Sequence, residues 1–342
     1  VSGDLPDILD LDGPIMPNWA WAGYLAPLSI DTMLEDAIMD SAKGYWNDKL
    51  YSVGPYDTSL CFLGRRSALE EIGARIPSVA QPWTKEEFNE VLKGLGTLKQ
   101  YKYAIDMSVA DGAEWWPYAY APMLQSFGGD LIDRRDFSTA KGFLNSPEAV
   151  AWGTWFRSLF ADGLSSQTPA TDGQDFLQGK VPMYYAGGWK VLQSQETLGT
   201  DEVLILPPVD FGKGAHVGGG SWQWGVSATS KKPEAANKFI EFLMQDRYLV
   251  EYSNAIGNFP SVESATPLTK NYRDGGPLSP VREIGESFAL LRPATPGYKV
   301  ISSIFDKAAR DIVSGSGVKS TLDQAADDID FDIKSNDGYK AA

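Results

Sequence analysis

Reactive and metal-binding side chains are scarce in this chain. One cysteine, Cys61, and one histidine, His216, occur in 342 residues. A lone Cys excludes an internal disulfide, and one Cys with one His cannot build a common zinc site. Any Ser-His-Asp or Cys-His chemistry would have to run through His216. Basic residues are in deficit, with 30 Lys+Arg against 45 Asp+Glu and a formal charge of -15. Such a surface repels a polyanion, so nucleic acid is not an expected partner. Apolar runs stop after a few residues, far short of the ~20 a membrane-spanning helix needs. Val1-Ser2-Gly3-Asp4 carries no initiator Met and no basic, apolar signal segment, which reads as a processed or trimmed form.

Aromatics, by contrast, are plentiful: 11 Trp, 15 Tyr and 15 Phe. Trp is rarely fully buried, because of its size and its N–H, so this load points to an aromatic-lined binding surface. The length exceeds one ordinary core, and two domains are expected.

Helix and strand signals alternate, which predicts an α/β architecture. Asp7–Asp12 reads as a strand closed by Gly13-Pro14. Thr84-Lys85-Glu86-Glu87 is a capping box before a face of Phe88, Val91, Leu92 and Leu95. Ser146-Pro147 opens a helix with Trp152, Trp155, Phe156 and Leu159 at core spacing. Ser230–Glu251 is expected to carry Ala236, Phe239, Ile240 and Leu243 on one face, and a last helix from Thr321 repeats the pattern. Strand-like runs fall at Leu50–Val53, Ser59–Leu63, Val181–Tyr185, Val203–Leu206 and Gln223–Thr229. No long linker separates N- and C-terminal halves, so the chain is expected to cross between lobes more than once.

Four segments combine turn residues with aromatics: Pro17–Trp21, Gly112–Tyr120, Ala186–Trp189 and Gly218–Trp224. Flat aromatic faces beside bare backbone suit a sugar ring, whose C–H faces stack while its hydroxyls pair with carboxylates and amides.

The order of motifs resembles that of family 1 extracellular solute-binding proteins, the maltose-binding-protein-like receptors of ABC importers. The resemblance rests on Gly3–Asp10, Ala22–Leu28, Lys49–Thr58, Pro82–Phe88, Gln125–Leu131, Phe176–Met183 with Gly187-Gly188-Trp189, Leu206-Pro207-Pro208, Gly218–Gly220, Ser230–Ala236 and Asn258–Ser261. It covers essentially the whole chain and draws its specificity from colinearity. What it implies is an α/β, two-lobe periplasmic-binding-protein-like fold of class II with three hinge crossings. These are expected near Pro55–Ser59, Ser221–Gln223 and Asn258–Pro260. The family begins with a strand–helix–strand unit before the first motif, so the N-lobe is expected to lack that unit. The expected lobes are 1–57 plus 222–258, and 58–221 plus 259–342.

The resemblance also suggests ligand-binding residues. Asp12 matches an aspartate holding sugar hydroxyls, with a turn-capping role or Asp10 as the alternatives. Tyr56, Asp57 and Thr58 lie at the first crossing, where Asp57 could equally be a structural acceptor. Tyr118 matches a C-lobe wall aromatic, and one of Trp115 and Trp116 is expected to stack while the other packs inward. Trp189, approached through Gly187 and Gly188, is the principal stacking aromatic. Ser221 and Trp222 follow the Gly-rich run; Trp222 and Trp224 share a strand face, so both are expected at the cleft or both in the core, and the glycines favour Trp222 at the cleft. Arg292 marks a cleft edge before Tyr298, or a surface ion pair. Trp152 and Trp155 are expected in the core, Cys61 as a small buried hydrophobe, and His216 in a loop. The implied protein is a non-catalytic, monomeric sugar receptor without cofactor or metal. Its partners are a small sugar and an importer permease, and its location is periplasmic or extracellular, free or lipid-anchored. The rivals are a glycoside hydrolase, which needs two carboxylates about 5–10 Å apart, and the same fold with a non-sugar solute.

Overall fold

Alternating side chains set the first sheet. In the strand Ile8–Asp12, Leu9 and Leu11 turn inward while Asp10 is exposed. The structure, a computed structural model, describes residues 5–112, 114–220 and 222–340. The strand Ile8–Asp12 pairs antiparallel with Trp222–Ser227, which pairs in turn with Lys49–Val53, and that with Lys43–Trp46. The short strand Leu25–Ala26 also joins Trp222–Ser227. One face of this lobe buries Leu9, Leu11, Met16, Ala20 and Leu25. The other buries Ile38, Leu50, Val53, Val226, Ile240, Met244, Leu249, Val262 and Ala265.

The second lobe is organised on Leu60–Arg65, flanked antiparallel by Met183–Gly187 and Val203–Leu206. Leu60, Cys61, Phe62 and Leu63 are all buried, as a central strand covered on both faces requires. Cys61 is the small hydrophobe its context suggests, and burial pushes its thiol up to about 12. Helices read from the sequence pack here. Thr84 caps Lys85–Leu95 and forms the full capping box with Glu87. Arg75 binds that same Glu87, and these bonds hold its carboxyl down at about 2. Ser146 caps Pro147–Ala161 through the Ala149 N–H at 3.1 Å, and Trp152, Trp155, Phe156 and Leu159 are buried. The last long helix, Val318–Ser335, buries Leu322, Ala325, Ala326 and Ile329.

The segment read as one helix from Ser230 is two, Pro233–Leu243 and Asp246–Ile256. Ala236, Ile240 and Met244 descend one face at four-residue steps, but the next core residue is Leu249, five further on. An unbroken helix would turn Leu249 away from the core, and an extended Gln245 resets the phase. Phe239, expected on the core face, is exposed.

The chain passes between the lobes where Tyr56–Asp57 pairs antiparallel with Phe259–Pro260, and again at the Gly-rich segment before Trp222. Val217–Gly218 runs parallel to Ala289–Leu290 beside that second passage, and Ser59 bridges to Gly219. Segments before residue 58 and from Trp222 to Ala265 supply the first lobe's sheet and cores, except that Phe259 packs into the second lobe's core. The rest, together with the C-terminal helices, builds the second.

Candidate functional site

Between the lobes lies a cleft of about 350 Å³ lined by Asp12, Tyr56, Thr58, Glu114, Trp115, Tyr118, Trp189, Gly220, Trp222, Asn258 and Arg292. Strand pairing places two of these together, because Asp12 is the register partner of Trp222. Both stand at the end of the first lobe's sheet, where Trp222 is 50 % exposed. Trp224, one pleat further along, packs against the first lobe's core and the ring of Tyr252 at 6.4 Å, and does not line the cleft.

The opposite wall comes from the helix Trp115–Phe127, which the sequence presents as a cluster of aromatics and turn residues. Pro117 sits in its first turn, where an N–H has no partner to lose. Pro122 sits inside, so the Tyr118 carbonyl forgoes its helical donor. Gly218 packs against that carbonyl: a Cβ there would lie 2.3 Å from the oxygen. Trp115 faces the cleft, edge-on to Tyr118 at 6.2 Å. Trp116 faces inward, with Nε1 donating to the Asp111 carbonyl at 3.2 Å and the Arg310 guanidinium over its ring. The Tyr118 hydroxyl is buried without a partner among the described residues, and burial raises its pKa.

Trp189 follows the strand Met183–Gly187 and folds back over it. A Cβ on Gly187 would come within 2.1 Å of the indole, so glycine is what lets the ring lie there. Gly188 does not line the cleft. Its N–H donates to the Ser59 carbonyl at 3.0 Å, and Val281 fills the space where a side chain would stand.

Charge at the cleft is concentrated in one network. Arg292 donates from Nη1 to Asp12 Oδ2 at 2.6 Å and from Nη2 to Asp12 Oδ1 at 2.8 Å, a two-point fork. Nη1 also reaches Glu114 Oε1 at 2.6 Å. The guanidinium lies 4.8 Å from the Tyr118 ring centre. Glu114 accepts in addition from Tyr298 Oη, and from Ser302 Oγ at 2.5 Å. Burial alone would lower the pKa of Arg292; Asp12, with Tyr298 and Glu114, overcomes it and holds the group well above its usual value. The alternative of a surface ion pair is corrected: the pair exists, but the Arg292 side chain is largely withdrawn from solvent and joins the two lobes.

Asp57 is buried behind the cleft and ties the chain passages together. Its Oδ1 accepts from the Thr58 N–H at 2.6 Å and the Gly220 N–H at 2.9 Å, and its Oδ2 accepts from Ser41 Oγ. Burial raises its pKa, and these three bonds oppose the rise. Thr58 Oγ1 lies 3.0 Å from Asn258 Oδ1 across the neighbouring passage. Tyr56 lines the cleft, its pKa raised by burial. His216 sits in a loop. Ser221 lies outside the described residues.

Of the residues expected at a site, the cleft brings together Asp12, Tyr56, Thr58, Trp115, Tyr118, Trp189, Trp222 and Arg292. Asp57, Trp116 and Gly188 support it from behind. Glu114 was not anticipated; a carboxylate directly before two tryptophans was the available signal. Asn258 was anticipated only as part of a chain crossing, and Gly220 only as part of the Gly-rich segment before Trp222. Among the described residues no three His, Cys, Asp or Glu side chains are grouped to hold a metal ion. No helix among them is long and apolar enough to cross a membrane.

A family model for bacterial extracellular solute-binding proteins matches residues 2–276. Curated relatives include the diacetylchitobiose-binding protein DasA of Streptomyces coelicolor, 22 % identical over 300 residues, covering 84 % of this chain and 67 % of DasA. The maltodextrin-binding protein MdxE of Bacillus subtilis is 24 % identical over 243 residues, covering 66 % of this chain and 54 % of MdxE. The chain thus spans between about half and two thirds of these relatives' length. Among solved structures, the maltose/maltodextrin-binding domain MalE of Bdellovibrio bacteriovorus, bound to maltotriose, superposes with a TM-score of 0.80 at 18 % identity, covering 97 % of this chain and 86 % of that one. The substrate-binding protein Lmo0181 of Listeria monocytogenes, in complex with cycloalternan, gives 0.80 at 19 % identity, with the same coverage of 97 % and 86 %.

Proposed function

The chain belongs to the family of bacterial extracellular solute-binding proteins, and from that premise we propose that it is the sugar-capturing receptor of an ABC importer. One observation carries the reading: the interlobe cleft offers indole and phenol faces (Trp115, Tyr118, Trp189, Trp222) beside hydrogen-bonding groups (Asp12, Thr58, Glu114, Asn258). A sugar presents the complementary surface, with apolar ring faces and polar edges. The ligands of these relatives, diacetylchitobiose, maltodextrin and maltotriose, are of this class.

In this proposal Trp189 and Trp222 stack on sugar rings, Trp115 and Tyr118 complete the wall, and Asp12, Tyr56, Thr58, Asn258 and Ser221 hold hydroxyls. Arg292 positions Asp12 and Glu114, while Asp57, Trp116 and Gly188 hold the frame. The proposed lobes are 1–57 plus 222–258 and 58–221 plus 259–342, with the stretch to Ala265 still packed on the first. Sugar binding favours the closed arrangement of the lobes, and an importer permease reads that form from outside the membrane. The receptor acts as a monomer and performs no catalysis. Asp12 and Glu114 are both engaged as acceptors of one guanidinium, which fixes their positions rather than presenting a proton donor to a glycosidic bond.

The test is a thermal-shift screen against mono- and oligosaccharides, with each sugar recovered and analysed afterwards. A bound sugar at 100 times its Kd stabilises by about 2.7 kcal/mol. Stabilisation with the sugar recovered intact is the expected result. Absence of any shift across the panel, or cleavage of a sugar, would defeat the reading.

A further inference from the structure

The sugar reading leaves open which substituents the ligand carries, and the charge balance of the cleft bears on this. Among its described lining residues, three are charged: Asp12, Glu114 and Arg292. No lysine or histidine joins them. The single cation is already committed. Both terminal nitrogens of Arg292 are on carboxylates and its guanidinium lies against Tyr118; its Nε has no partner among the described residues but is buried, so an anion entering the cleft does not reach it. Among the described lining residues no further cation is left to receive an anionic substituent. The carboxylates are in surplus by one, and Glu114 retains about a third of its side-chain exposure, so its charge is felt in the cleft.

We infer that the cleft ranks sugars by charge: a sugar bearing a protonated amine binds more tightly than its neutral counterpart, and one bearing a carboxylate binds most weakly. The inference rests on the sugar-receptor reading. Its physical basis is twofold. An uncompensated negative charge among low-dielectric aromatic walls attracts a cation over several ångströms and repels an anion over the same range. A cation also gains from the faces of Trp115, Trp189 and Trp222, to which an anion gains nothing. The device is repulsive as much as attractive, since a carboxylate entering the cleft would be desolvated without a partner.

Two matched series separate the cases by calorimetry at low salt: glucose, glucosamine and glucuronate, and galactose, galactosamine and galacturonate. In whichever series binds, the expected order is amine, neutral, carboxylate, with steps of about tenfold in Kd. Raising NaCl to about 1 M shortens the Debye length to ~3 Å and is expected to compress both steps. In the variant Glu114→Gln the lining charge becomes zero, and the amine and neutral sugars are expected to bind within about threefold of each other. The salt titration uses the unmodified protein, so a poorly folded variant does not remove the test. A carboxylated sugar binding as well as its neutral counterpart, or an order indifferent to salt, overturns the inference and leaves the sugar reading standing. If longer neutral oligosaccharides also fail to bind, both fall together.

Discussion

Arg292 closes a two-point fork on Asp12 from 280 positions along the chain, with its nitrogens 2.6 and 2.8 Å from the two carboxylate oxygens. The same guanidinium touches Glu114, so one side chain joins the first lobe's edge strand to the second lobe's helix terminus. Removing it leaves two carboxylates facing each other with their shared cation gone. Arg292→Met is expected to lower unfolding free energy by about 3 kcal/mol, as for one partner removed from a buried pair. Arg292→Lys should recover only part of this, because an ammonium cannot fork. Urea denaturation of the two variants provides the comparison; equal stability of Arg292→Met and the unmodified protein would refute the role.

Trp189 owes its place to a missing side chain. Gly187→Ala puts a methyl where the indole lies and must displace it. Both Gly187→Ala and Trp189→Ala are expected to weaken sugar binding by about 10- to 100-fold, a loss of roughly 1.4–2.7 kcal/mol. Titration calorimetry checks this. Because Trp189 is 36 % exposed, the alanine variant should unfold close to the unmodified protein.

Asp106 carries a pH dependence unconnected to the cleft. It is 2 % exposed, its Oδ1 accepts from the Ser108 N–H at 2.8 Å, and its Oδ2 has no partner among the described residues. Burial raises its pKa to about 6. Below pH ~3.8 the folded and unfolded forms are both protonated. As pH rises to about 6 only the unfolded form ionises, and stability falls by up to about 3 kcal/mol. Asp106→Asn keeps the acceptor and cannot ionise. Its advantage over the unmodified protein should be small at pH 4 and reach its plateau above pH 6.5. A pH-independent difference in unfolding midpoint would rule this out.

A second lobe-to-lobe contact lies away from the cleft. Trp21 donates to the Lys340 carbonyl at 3.0 Å and stands edge-on to Tyr339 at 5.2 Å, while Asn18 donates to the Pro296 carbonyl at 2.8 Å. Trp21→Leu is expected to cost less than about 1 kcal/mol of stability, since the contact is exposed. It should nevertheless weaken sugar binding about threefold by freeing the lobes when no ligand holds them. Unchanged affinity would show that this contact does not bias closure.

Local signals in the sequence were legible where the structure is local. The Thr84–Glu87 box and the Ser146-Pro147 start each involve residues three or four apart, and both formed as written. The stop at Met244 was not legible, because the helical period survives it and only the depth of Leu249 demands a new phase. The helix Trp115–Phe127 was masked by two prolines that usually argue against one, and its buried face goes nearly all the way round. At the cleft, Asp12, Trp189 and Trp222 came from motif order. Glu114 could not, since what defines it lies 178 to 188 residues away in Arg292, Tyr298 and Ser302.

The central claim is that the cleft between Trp189 and Trp222 captures a sugar without chemistry. The most direct measurement is calorimetric titration of one neutral oligosaccharide series into the unmodified protein and into Trp189→Ala and Trp222→Ala, with chromatography of the recovered sugar. The account predicts one saturable site, weakened at least about tenfold in each variant, with every sugar returned intact. Undiminished affinity in both variants, or a shortened sugar in the recovered fraction, would contradict it.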